Sequence, residues 1–247
     1  MPEPGVTCSG TGSAPLAAER DAGSYCCEVS QDDYVTAARA VYEASTERYV
    51  GFVGTEISAA TEGPIDRSLL MAFAELVATG GGAQVADVGC GPGRVVAYLA
   101  AYGLDVIGVD VSPVMLVEAR RSHPDIEFEE GRLDDLPITA GALAGAVCWY
   151  SIIYTPPECL DDAFAELRRV LEPGGHLLLA FQAGDGEATH RTDAHGTGLA
   201  LTIYRHGFGD LTRRLERAGF VVHATAERAP ELHHESTPQG FVIARSR

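Results

Sequence analysis

The chain is 247 residues long and 46% hydrophobic, a size that suits one α/β domain with some decoration around a substantial core. Its 18 basic residues stand against 35 acidic ones, a formal net charge of −17; such a surface repels phosphate backbones and anionic lipid, which argues against nucleic acid or a membrane as partner. No long apolar span and no basic-then-apolar N-terminal stretch is present, and the six cysteines show neither a C-x-x-C pair nor the spacing of a disulfide framework, so reduced thiols and a cytoplasmic protein are expected.

Residues 1–28 are rich in Gly, Ala, Ser and Pro without periodic apolar spacing and read as a flexible leader. From Gln31 to about Tyr49 the pattern becomes helical, with Tyr34, Ala38, Val41, Tyr42, Ser45 and Tyr49 near one face. A second amphipathic helix is predicted from Ile65 to about Ala78. It follows Gly63-Pro64, has Asp66 near its start and stops at Gly80-Gly81-Gly82. These segments, residues 29–82, form a unit ahead of a core spanning 83–247.

The core opens on Gln84-Val85-Ala86-Asp87-Val88-Gly89-Cys90-Gly91-Pro92-Gly93-Arg94-Val95. A short apolar run with an acid near its end passes into three alternate glycines and then a helical pattern, which reads as strand, tight turn, helix. Gly89, Gly91 and Gly93 suit a backbone that takes positive φ or lies directly against a ligand, and the following helix points free N–H groups at that turn. The dinucleotide fingerprint G-x-G-x-x-G would need its third glycine at Arg94, and Asp87 would sit badly beside a pyrophosphate. The pattern hydrophobic-Asp-x-Gly-x-Gly-x-Gly resembles instead the first motif of the class I S-adenosylmethionine-dependent methyltransferases, whose cofactor carries a sulfonium, an ammonium and a carboxylate.

Val95 to Tyr102 reads as the first core helix, and Leu104 to Asp110 as the second strand. A carboxylate at the tip of the neighbouring parallel strand can accept hydrogen bonds from both ribose hydroxyls, which assigns that role to Asp110. Val111-Ser112-Pro113-Val114-Met115-Leu116 resembles the family's Asp-x-Ser-x-x-Met-Leu, in which Ser112 caps a helix begun by Pro113 and Met115 packs near the adenine. A third strand is expected at Asp125–Glu129. Beyond it, Gly131-Arg132-Leu133-Asp134 departs from the family's Gly-Asp-x-x-x-Leu-Pro-Phe, with Arg132 where the adenine-binding acid is expected; Leu133 through its backbone and Asp134 through its carboxylate are the substitutes.

The fourth strand, Ala142 to Cys148, ends in Trp149-Tyr150-Ser151-Ile152-Ile153-Tyr154, where an open parallel sheet places its ligands. Metal-dependent relatives keep an Asp at this strand end; this chain has Cys-Trp-Tyr-Ser, so no catalytic metal is expected. Leu167-Arg168-Arg169-Val170-Leu171, followed by Pro173-Gly174-Gly175-His176, resembles the family's helix end and turn before the fifth strand. Residues 182–206 break the rhythm as a substrate-side insertion holding His190, His195 and His206. A helix from Gly207 to Ala218 and strands at 220–224 and 240–244 complete the pattern.

The resemblance implies a Rossmann-like α/β fold. Its sheet has seven mostly parallel strands, helices on both faces and an antiparallel last strand, and the N-terminal helices act as a lid. It implies S-adenosylmethionine as cofactor, bound by Asp87, Gly89, Gly91, Gly93, Asp110, Val111, Met115, Leu133, Asp134 and Trp149. Tyr42, Tyr49, Tyr150 and Tyr154 are expected to line the substrate site, and His190, His195, His206 and Tyr154 are the candidates for a general base. The expected reaction moves a methyl group to O, N or C of a small molecule, a secondary metabolite for example, in a monomer or homodimer. The rivals are a protein that uses the cofactor without methyl transfer and an NAD(P)-dependent oxidoreductase.

Overall fold

The computed structural model describes residues 31–81 and 84–247, with only the backbone of Gln31 and Asp32. The leader expected at 1–28, with Cys8, Cys26 and Cys27, lies outside the described residues. Helix α1 (Gln31–Val53) runs one turn past Tyr49, and α2 (Pro64–Thr79) follows. Proline begins α2 where its missing N–H costs nothing, and the Asp66 carboxylate reaches back to accept the Gly63 amide at 2.8 Å.

From Gln84 onward strands and helices alternate: β1 (Gln84–Val88), α3 (Arg94–Ala101), β2 (Val106–Asp110), α4 (Pro113–Ser122), β3 (Glu127–Glu130), β4 (Leu143–Trp149), α5 (Leu160–Val170) and β5 (Leu171–Gln182). A two-stranded antiparallel hairpin, β6 (Ala188–Arg191) and β7 (Leu201–Tyr204), precedes α6 (Phe208–Arg217), β8 (Phe220–Arg228) and β9 (Gln239–Ser246). The sheet order is β3-β2-β1-β4-β5-β9-β8. Pairs from β3 to β5 are parallel, and β9 runs antiparallel to both neighbours, so it is the one reversed strand.

All seven residues of β4 are buried, as befits a central strand covered on both faces. One apolar layer packs α5 and α6 against the sheet through Phe164, Leu167, Leu211 and Leu215. The opposite layer uses Leu70, Phe73 and Val77 of α2 with Val96, Leu99 and Leu116 of α3 and α4. The Pro-Gly-Gly segment lies inside β5 as a register irregularity: Leu143 pairs with Leu171, and Gly145 two residues on pairs with His176. Crossovers on both faces leave the carboxyl ends of β1, β2 and β4 side by side at the switch in strand order, where such sheets bind ligands.

Candidate functional site

A cavity of about 430 Å³ opens at those strand ends. Its floor is the turn after β1. Gly89 has φ 80°, and a Cβ there would stand 2.3 Å from the Ser151 Cβ, so only glycine fits. Gly91 has φ 53° and faces the cavity, with only the Tyr49 ring within 4 Å of where a Cβ would sit. Gly93 caps α3 in the left-handed region and turns toward His123 and Phe128, outside the cavity lining.

Asp110 closes β2 beside this turn. Its Oδ2 accepts the Gly91 amide and its Oδ1 the Ser112 amide, each at 2.8 Å. Burial raises its pKa, while those amides and that of Val111 pull it down. Ser112 in turn accepts the Met115 amide at 3.3 Å and fixes the start of α4. Val111, Met115 and Leu133 line the same wall. Asp134 does not: Arg132 holds its carboxylate through two contacts of 2.9 and 3.0 Å, and Arg132 itself lines the cavity.

Asp87 lies behind the turn, 1% exposed, and neither carboxylate oxygen accepts a hydrogen bond. Burial pushes its pKa up to about 7, opposed by the Arg94 guanidinium and reinforced by Asp110. Arg94 lines the cavity and is ion-paired with Glu62, both nearly buried. That pair ties the segment before α2 to the glycine turn. Glu62 and this tie were not foreseen from the sequence, because an ion pair 32 positions apart leaves no periodic trace. The Trp149 Nε1 is a further buried polar atom without a partner.

The roof is aromatic. Tyr42 and Tyr49 of α1 meet edge-on at 4.9 Å, and Tyr42 stands 5.6 Å from Tyr154 and 5.5 Å from His195. The Tyr42 and Tyr154 hydroxyls are in direct hydrogen-bond contact. Burial raises the pKa of both phenols, so they are neutral at ordinary pH. The opposite shift holds at His195, whose pKa falls below 6.5 through burial and the nearby Arg48. Tyr150 also lines the cavity, held at φ 61°. His195, at φ 51°, is the other described non-glycine residue with positive φ. Both departures sit at the cavity, where backbone strain tends to collect.

The remaining two histidines lie elsewhere. His190 is exposed on the outer face of β6, its Nδ1 3.1 Å from the Thr202 hydroxyl. His206 is buried, with Nε2 3.0 Å from the Ile152 carbonyl. Neither lines the cavity. The loop between β8 and β9 contributes His234, Glu235, Ser236 and Thr237 to the wall.

Residues 85–175 match the family model of a methyltransferase domain. Over 133 residues the chain is 32% identical to malonyl-(acyl-carrier protein) O-methyltransferase of Pectobacterium atrosepticum, covering 49% of this chain and 51% of that protein. The chain spans about half or less of the length of the curated relatives it matches. Among solved structures it is similar to the 1,6-didemethyltoxoflavin-N1-methyltransferase of Burkholderia thailandensis, with TM-score 0.64 and 20% identity over 95% of this chain and 92% of that one. It is also similar to the (4+2)-cyclase SpnF, with TM-score 0.66 and 18% identity over 85% and 94%. Likeness at these identities establishes the fold. Residues 85–175 thus carry a methyltransferase-domain sequence, on a sheet with one reversed strand whose fold is similar to that of solved S-adenosylmethionine-dependent methyltransferases.

Proposed function

We propose that the chain binds S-adenosylmethionine across the turn after β1 and moves its methyl group to an oxygen, nitrogen or carbon of a small molecule held beneath the aromatic roof. The observation that carries this reading is Asp110. Its oxygens accept the Gly91 and Ser112 amides, the residue lines the cavity, and a carboxylate so held keeps acceptor capacity for a vicinal diol. Bound there, the cofactor supplies a methyl carbon on sulfonium, already a good leaving group.

The residues around the cavity do the rest by binding and enclosure. The glycine turn lets backbone amides approach the amino-acid end of the cofactor, and the Asp110 carboxylate lines the cavity beside it, with Asp87 buried behind the turn. Tyr42, Tyr49 and Tyr154 cover the cleft and exclude water. Holding nucleophile and methyl carbon in line contributes on the order of 7–11 kcal/mol. An acceptor that must lose a proton finds a neutral imidazole at His195, the one histidine named from the insertion that lines the cavity.

A dinucleotide reading meets Arg94 where the fingerprint wants glycine, fastened by Glu62. A reading without methyl transfer has one observation in its favour, the fold shared with a cyclase. Calorimetric titration with S-adenosylmethionine and, separately, NAD(P) tests the first point: binding of the former and not the latter is expected. Mass spectrometry of acceptors after incubation tests the second. Tight cofactor binding with no acceptor gaining the mass of a methylene would favour the reading without transfer.

A further inference from the structure

The β6–β7 hairpin pairs Arg191 with Leu201, His190 with Thr202, Thr189 with Ile203 and Ala188 with Tyr204. The Arg205 amide carries the ladder on to the Glu187 carbonyl at 2.9 Å. Successive strand residues point to opposite faces, so Thr189, Arg191, Ile203 and Arg205 share one face. Those four line the cavity, while His190, Thr202 and Tyr204 do not. The insertion therefore presents a wall with an arginine at each end, about 13 Å apart at roughly 3.3 Å per residue.

The other described arginines are engaged, save exposed Arg247 just beyond the far end of β9. Arg39, Arg94, Arg169 and Arg228 pair with carboxylates, and Arg48, Arg120 and Arg245 donate to backbone carbonyls. Among the described residues, Arg191 and Arg205 make no ion pair and donate no side-chain hydrogen bond. Glu187 lies within electrostatic reach of Arg205, but its carboxylate accepts the Asp185 amide at 2.8 Å. A chain with 35 acidic residues against 18 basic ones is not short of partners.

We propose, building on the methyltransferase reading above, that the methyl acceptor is anionic: its carboxylate or phosphate monoester is bound by half-buried Arg205, while exposed Arg191 draws it in at the mouth. A guanidinium presents a planar fork that matches either group with paired, charge-assisted hydrogen bonds. A neutral acceptor closing the cleft would strip water from Arg205 without replacing its hydrogen bonds, which is costly. The net charge of −17 repels anions from the surface at large, so an anionic acceptor needs such a local positive wall to enter.

The test saturates the protein with S-adenosylhomocysteine and titrates aromatic carboxylates and phosphate monoesters of increasing ring number. Each is compared with its neutral amide or alcohol, and Kd is read by ligand-observed NMR. In at least one series the charged member is expected to bind about tenfold tighter or better than its neutral counterpart, and the series that does so tells carboxylate from phosphate. Arg205→Gln should abolish that preference. Arg191→Gln should reduce it less, and more at low than at high salt. Thr202→Val, on the outer face of the hairpin, should leave it intact. Equal binding within every pair, no binding by any charged probe, or a preference that survives Arg205→Gln overturns the proposal. Affinity for S-adenosylhomocysteine, measured first, separates the two levels: its absence removes the methyltransferase reading, whereas its presence without a charge preference removes only the anionic acceptor.

Discussion

Asp110 is held from two sides by the Gly91 and Ser112 amides, so the unliganded carboxylate is already oriented and a ligand need not pay to order it. Asp110→Ala is expected to weaken S-adenosylmethionine binding by roughly 1–3 kcal/mol, the loss typical for hydrogen bonds to a charged group; calorimetry giving the parental affinity would take Asp110 out of the site. At the roof, neutral phenols at Tyr42 and Tyr154 are poor bases, whereas His195 stays unprotonated at neutral pH because its pKa lies below 6.5. A base must be deprotonated to act. For an oxygen or nitrogen acceptor that loses a proton, kcat/KM should therefore fall on an acid limb with its midpoint below 6.5. His195→Gln should remove that limb and lower kcat by about 10²–10⁴-fold, checked by a pH–rate profile of both proteins. The glycines and Asp110 were legible from the sequence because each answers a local backbone demand. Which of the histidines lines the cavity was not, because that depends on strand phase in an insertion with no strong period.

Among the elements, the loop between β8 and β9 is fastened by a buried cluster. Arg228 at the end of β8 meets both oxygens of Asp66 at 2.7 Å and both oxygens of Glu235, at 2.7 and 2.5 Å. Glu235 also accepts the Glu231 and Leu232 amides. The cluster joins the start of α2 to the wall containing Ser236 and Thr237. Arg228→Met would leave two buried carboxylates facing each other, and a stability loss of about 3–5 kcal/mol is expected in equilibrium denaturation. Burial alone would raise the Glu235 pKa, but Arg228 and the two amides outweigh it and hold the group at about 2, against an ordinary 4.5. The unfolded chain thus takes up this proton first as pH falls. The stabilisation is complete above 4.5 and disappears between there and about 2; urea titrations of Glu235→Gln should show a flatter acid limb than the parent. The core helices and strands matched their sequence expectations within a few residues, since period alone marks them. This cluster did not show, as Asp66 and Arg228 are 162 positions apart.

Over the whole molecule the charge of −17 sets a repulsion that folding has to overcome. Raising salt from about 10 to about 150 mM shortens the screening length from ~30 to ~8 Å, so the melting temperature should climb over that range, while the buried Arg94–Glu62 and Arg228–Asp66 pairs are little affected. A melting temperature that falls or stays level in calorimetric scans would show that surface repulsion does not limit stability. The seven mostly parallel strands and the antiparallel last one were expected from the resemblance that the glycine-turn motif carries, whereas the strand order is seen only in the structure. The nature of the acceptor was not legible either, because the insertion that supplies the arginine wall carries no motif to read. Since inward and outward residues alternate along β6 and β7, one deletion upstream of Thr189 would slip that strand by a single step and trade Thr189 and Arg191 for His190 and Thr192 at the wall. Lineages sharing this scaffold can thus exchange their diet through insertions and deletions, with no substitution in the cofactor cradle.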